Sequence, residues 1–157
     1  MRGGVIKISG ATRDFTGGAP PNNTLGIRGG LIYVGKKAGD RTGERIRRGI
    51  LIVNGETGGY CGSNMIAGTI IVPGYCARGV GLGMGRGTIL LLREPAPLPA
   101  TFNDCGPATL GIVTLLSGYV KNFNRSTYLQ LREINLVQRF TGNLGCDGQG
   151  EVLVAIG

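Results

Sequence analysis

The sequence has no histidine, no tryptophan and only nine acidic residues in 157, and no apolar run approaches the ~20 residues of a membrane-spanning helix. Without histidine, Ser–His and Cys–His nucleophile pairs are excluded. Cys61, Cys76, Cys105 and Cys146 show no Cys-x-x-Cys spacing and make a poor zinc set, so no metal site is expected. They read as reduced thiols, and with no signal-peptide pattern at the N-terminus the expected location is cytoplasmic. The Asn-x-Ser/Thr matches at Asn22 and Asn124 then carry no meaning. What the sequence does have is glycine, 31 residues of it, among abundant aliphatics, which fits neither disorder nor collagen.

The glycines are periodic. From Arg28 the chain reads RGGLIYVGKKAGDRTGERI, RRGILIVNGETGGYCGSNM and IAGTIIVPGYCARGVGLGM, each of 19 residues, and a further unit opens as GRGTILLL at Gly85. An earlier unit, Arg2 to Ile27, fits if the segment APPNNTL around Ala19–Leu25 bulges out. The third position is Gly4, Gly30, Gly49, Gly68 and Gly87, and the sixteenth Gly17, Gly43, Gly62 and Gly81. Positions five and seven are aliphatic: Ile6/Ile8, Ile32/Val34, Leu51/Val53, Ile70/Val72 and Ile89/Leu91. A short aliphatic strand with a glycine corner cannot bury its inner face alone, but a stack of such units can. The fold expected is all-β, a right-handed parallel β-helix (solenoid) of about five 19-residue turns with a C-terminal helical tail. Ile27, Ile46, Met65 and Met84 are expected inside it. The recurrence favours corner glycines over a nucleotide-binding Gly-x-Gly-x-x-Gly.

Residues 1–92 form the expected repeat domain, and residues 93–157 a Pro-rich hinge (REPAPLPATF), a helical tail and a last strand. Pro107–Ser117 reads as a short helix starting at proline, and Thr127–Thr141 as a helix capped by Ser126. Its stripe of Leu131, Ile134, Val137 and Phe140 is expected on the outward apolar face around Ile50, Ile52 and Ile71. Glu151–Ile156 reads as the final strand. The repeat begins almost at residue one, so the first strand edge is expected to associate with a partner or a second copy.

The charge is one-sided. Residues 1–92 carry twelve Lys/Arg against Asp14, Asp40, Glu44 and Glu56, whereas the rest carries five of each sign. Candidate anion-binding residues are Arg2, Arg28, Lys36, Lys37, Arg41, Arg45, Arg47 and Arg48, with Arg2, Arg28 and Arg47 in line at position one. Two readings stand: a hydrated face that keeps the protein soluble, or a ladder along which an anion lies. Nucleic acid is disfavoured because Tyr33 is the single aromatic interleaved there. No catalytic residue is assigned. In the Asn-Asp-Cys-Gly segment Asn103 and Asp104 are read as turn chemistry, with an enzyme built on Asp104 and Cys105 the weakest alternative.

The stretches RGGLIYVGKKAGDRTGERIRRGILIVNG, GGYCGSNMIAGTIIV and REPAPLPATFNDCG resemble the C-type subunit of formylmethanofuran dehydrogenase and, more closely, that of the bacterial formyltransferase/hydrolase complex; the glutamate synthase C-terminal domain is a more distant likeness. The resemblance implies a non-catalytic β-helix subunit of one-carbon (formyl) metabolism. Its partner subunits would work with tetrahydromethanopterin and methylofuran or methanofuran, and hold any metal or molybdenum or tungsten pterin themselves. It also implies an oligoglutamate tail on the furan cofactor, a polyanion for which the basic ladder is a candidate surface. No catalytic motif of those partners is present here. The alternative is a free-standing basic solenoid that binds polyanions or forms a homo-oligomer.

Overall fold

The 19-residue spacing reappears as strand register in the computed structural model, which describes residues 1–157. Strands β1 (Val5–Ile8), β2 (Arg28–Val34), β3 (Arg48–Val53), β4 (Thr69–Val72) and β5 (Arg86–Leu91) pair in parallel in chain order. Leu31 lies opposite Ile50, Ile50 opposite Thr69 and Thr69 opposite Thr88. The segments between strands align too, through parallel bridges Ala38–Thr57 and Thr57–Cys76.

The expected right-handed parallel β-helix with a C-terminal helical tail is nevertheless not what the chain forms. The strands make one open, mixed, eight-stranded sheet in the order β1-β2-β3-β4-β5-β8-β7-β6, completed by β6 (Asn103–Ala108), β7 (Leu136–Gly142) and β8 (Gln149–Ile156). β8 pairs in parallel with β5, but β7 runs antiparallel to β8, and β6 to β7. The reason is local: only Asn143–Gly148 joins β7 to β8, and so short a link cannot return a strand in parallel. Helices α1 (Gly111–Val120) and α2 (Arg125–Arg132) lie between β6 and β7 and are not a terminal tail.

Two helix expectations change with this. Pro107 sits in β6, an edge strand where a missing N–H costs no ladder bond, and α1 begins four residues later. The helix expected over Thr127–Thr141 ends at Arg132, and Leu136–Gly142 is a strand. Asn124 rather than Ser126 caps it, its side chain accepting from the Thr127 N–H at 2.9 Å.

Both faces of the sheet are apolar and both are covered. One face buries Ile32, Leu51, Val53, Ile70, Val72, Ile89, Leu91 and Val152 against Ile27, Ile46, Met65 and Met84. The other buries Leu31, Tyr33, Ile52, Ile71, Leu90 and Leu153 under Val113, Leu116 and Val120 of α1 and Leu131 of α2. β1 is the exception: Val5 and Ile6 remain 55% and 44% exposed at the sheet edge. No helix is long and apolar enough to cross a membrane.

Candidate anion-binding face

The five parallel strands are entered at Gly4, Gly30, Gly49, Gly68 and Gly87; Gly49 and Gly87 follow Arg48 and Arg86, whereas Gly68 of β4 follows Ala67. At Gly49 φ is +98°, and a Cβ would stand 2.5 Å from the Gly30 carbonyl oxygen, so only glycine lets successive units approach this closely. The tight entry fixes the preceding residues. Arg28 N–H donates to the Met1 carbonyl at 2.9 Å, and the Arg47 and Arg48 N–H groups both donate to the Ile27 carbonyl, at 2.9 and 3.2 Å. Arg28 and Arg48 are register partners in adjacent strands, and Arg86 opens β5. All of these arginines, with Arg2, are exposed.

Two open grooves flank this row. One of about 390 Å³ is lined by Met1, Arg2, Asn23, Leu25 and Arg28 among others. The other, of about 450 Å³, is lined by Arg47, Arg48, Asn64, Arg86 and Asp147 among others. The row therefore holds Arg2, Arg28, Arg47 and Arg48 together with Arg86, which sequence reasoning left out. Its signal was available: Arg86 stands two full repeats after Arg48.

The remaining candidates lie elsewhere. Lys36 and Lys37 are exposed at the far end of β2, about 20 Å from Arg28 for a seven-residue strand. Arg41 pairs with Glu44 at 3.0 Å, and its guanidinium stands 5.9 Å from the Phe15 ring and 5.6 Å from that of Tyr60. Arg78 approaches Tyr60 at 5.9 Å, extending an alternating aromatic and guanidinium column. Arg45 lines a separate hollow of about 550 Å³ with Phe15, Asn22 and Glu44.

Asp147 lines the second groove beside Arg47, Arg48 and Arg86, while several other acidic groups are engaged elsewhere. Asp14 accepts the Asp40 N–H and Asp40 the Gly59 N–H, both at 2.8 Å, so these carboxylates tie successive units together. Glu44 is occupied by Arg41. Asp104 accepts from the Gly106 N–H at 2.8 Å and from the Gln138 amide, within a strand rather than a free loop, and Cys105 Sγ lies 3.2 Å from the Thr141 hydroxyl. Cys61 and Cys76 both lie in the buried core, and the neighbouring Cys76 thiol, and then burial, push the Cys61 thiol well above the usual thiol range. The Thr57 hydroxyl donates to Cys76 Sγ at 3.1 Å.

No family model matches this chain, and no curated protein does. Among solved structures it is similar to a chain of the formyltransferase/hydrolase complex (FhcABCD) from Methylorubrum extorquens, crystallised in complex with methylofuran. The two are 33% identical with a TM-score of 0.87. The likeness is specific and partial. It takes in 99% of this chain but 57% of the matched one, so the present chain spans little more than half the length of its relative. The matched assembly is named for formyl transfer and hydrolysis, not for dehydrogenation.

Proposed function

We propose that this chain is a non-catalytic scaffold subunit in a formyltransferase/hydrolase-type assembly of one-carbon metabolism. The observation that carries the reading is the likeness just described, at 33% identity over nearly the whole chain. The candidate acid and thiol, Asp104 and Cys105, are engaged in strand and turn hydrogen bonds.

The arginine row gives the scaffold a further task. Methylofuran is what the matched complex holds, and the family resemblance implies an oligoglutamate tail on that cofactor. Arg28 and Arg48 open the adjacent strands β2 and β3, ~4.8 Å apart, and Arg86 opens β5 beyond β4, which has no arginine. Exposed guanidiniums spread along a sheet end in this way suit a flexible run of carboxylates better than a single compact anion. Arg28, Arg47, Arg48 and Arg86 would hold such a tail, while the formyl chemistry takes place on partner subunits.

Affinity isolation of the tagged chain from the cells that make it, with companions identified by mass, tests the scaffold reading. Formyltransferase and hydrolase subunits are expected to come with it in fixed ratio. Recovery of the chain alone, or only with copies of itself, would contradict the scaffold and favour a free-standing polyanion-binding protein.

A further inference from the structure

The Pro-rich segment and the antiparallel end of the sheet leave an open groove of about 710 Å³ between them. It is larger than either groove beside the arginine row and within the size range of small-ligand pockets. Leu98, Phe102, Phe140 and Val154 line it, and all four also belong to or pack against the core, so its apolar walls are held in place. In a chain of net charge +8, no Lys or Arg lines this groove. Its charged side chains are Glu94 and Asp104. The bases next to it in sequence serve other places. Arg93 lines a separate hollow with Glu133, and Arg139, on the opposite side of β7 from Gln138, holds Glu151 at 3.1 Å.

What the groove offers a ligand is acceptors. The Gly106 N–H and the Gln138 amide both donate to one oxygen of Asp104, Oδ1, and the second oxygen takes no hydrogen bond. Because a carboxylate only accepts, Gln138 turns its NH2 to Asp104 and has its carbonyl oxygen left over. The segment from Glu94 to Ala100 on the other wall is equally poor in donors. Pro95, Pro97 and Pro99 have no N–H, and the Ala96 N–H is spent on the Cys76 carbonyl at 3.0 Å. Two carboxylates, a spare amide oxygen and two phenyl rings favour a positively charged donor, the carboxylates through charge-assisted hydrogen bonds and the rings through their negative faces. An anion would meet charge of its own sign and no basic side chain.

We propose that this groove binds a small organic amine, its ammonium at the Asp104–Gln138 end and its apolar body against Phe102 and Phe140. The inference does not depend on the scaffold reading or on the arginine row. The probe is benzylamine, with benzyl alcohol as an uncharged counterpart of nearly the same shape, titrated into the isotope-labelled chain at neutral pH and low salt. The amide NMR resonances of Phe102, Asp104 and Gln138 are expected to move and saturate, with benzylamine bound at least about tenfold more tightly than benzyl alcohol. Glu94→Gln/Asp104→Asn removes both charges but keeps an acceptor for the Gly106 N–H. It is expected to bring the two probes to the same affinity and leave the thermal midpoint unchanged. Equal affinities for the wild type, the absence of saturable shifts up to about 10 mM, or an amine preference that survives the double variant would each overturn the proposal. So would a Gly-Lys-Gly peptide that binds more tightly than benzylamine, which would assign the groove to a lysine side chain of a protein partner.

Discussion

A single methyl group at Gly49 tests the close stacking of the repeats. With φ at +98° and a Cβ bound for the Gly30 carbonyl oxygen, Gly49→Ala must shift backbone, not a flexible side chain. Its expected cost is about 2–3 kcal/mol, measured by urea denaturation, while Gly3→Ala, where a Cβ meets nothing, should cost far less. The thiols give a second residue-scale test. Cys61 and Cys76 are buried, whereas Cys105 and Cys146 are exposed. In the native protein two thiols of the four should react with a disulfide reagent near neutral pH, and all four in denaturant. The interior aliphatics and Ile27, Ile46, Met65 and Met84 were legible from the repeat, because a fixed period puts equivalent residues in equivalent places. The Cys61–Cys76 contact was not: their different repeat positions set them apart along the chain, yet both side chains cross the same interior.

The boundary between α2 and β7 shows where sequence periodicity misleads. Leu131, Ile134, Val137 and Phe140 lie three apart, which is one stripe on a helix. In strand β7, Val137 and Phe140 face opposite sides of the sheet. Val137 joins the helix-covered core, and Phe140 packs against the other. Tertiary pairing with β8 decided the conformation, and nothing in the stripe announces a partner six residues away across a short link. The cover over the outward face was legible as a need, although the elements that meet it, α1 and α2, were placed by the structure. Asn124 both caps α2 and donates from its amide to the Tyr33 hydroxyl of β2. Asn124→Ala should therefore cost about 1–2 kcal/mol, at the upper end for a helix cap, because a buried tie to the sheet is lost with it. Thermal unfolding of Asn124→Ala beside Tyr33→Phe would separate the two losses. Leu131→Ala, deeper in the same layer, should cost about 2–5 kcal/mol.

For the whole molecule, the charge asymmetry was legible by counting, but its shape was not. Eight candidate bases on the sequence become one row, a lysine corner, a stacked Arg41 and a separate Arg45, because residues close in sequence fall at opposite ends of a strand or in the loops between strands. Arg86 joins the row from two repeats away. The antiparallel end of the sheet was hidden because the glycine period stops at β5, and β8, from the end of the chain, takes the next place beside it. The central functional claim is that the arginine row, rather than the net charge alone, grips a carboxylate chain. Fluorescence anisotropy of a labelled short oligoglutamate, titrated at several salt concentrations, measures that directly. Wild-type protein should bind with an affinity that falls steeply as salt rises, Arg28→Glu/Arg48→Glu/Arg86→Glu should lose at least roughly a hundredfold, and Lys36→Glu/Lys37→Glu should remain close to wild type. Equal losses in the two variants, or binding untouched by the triple reversal, would contradict the account.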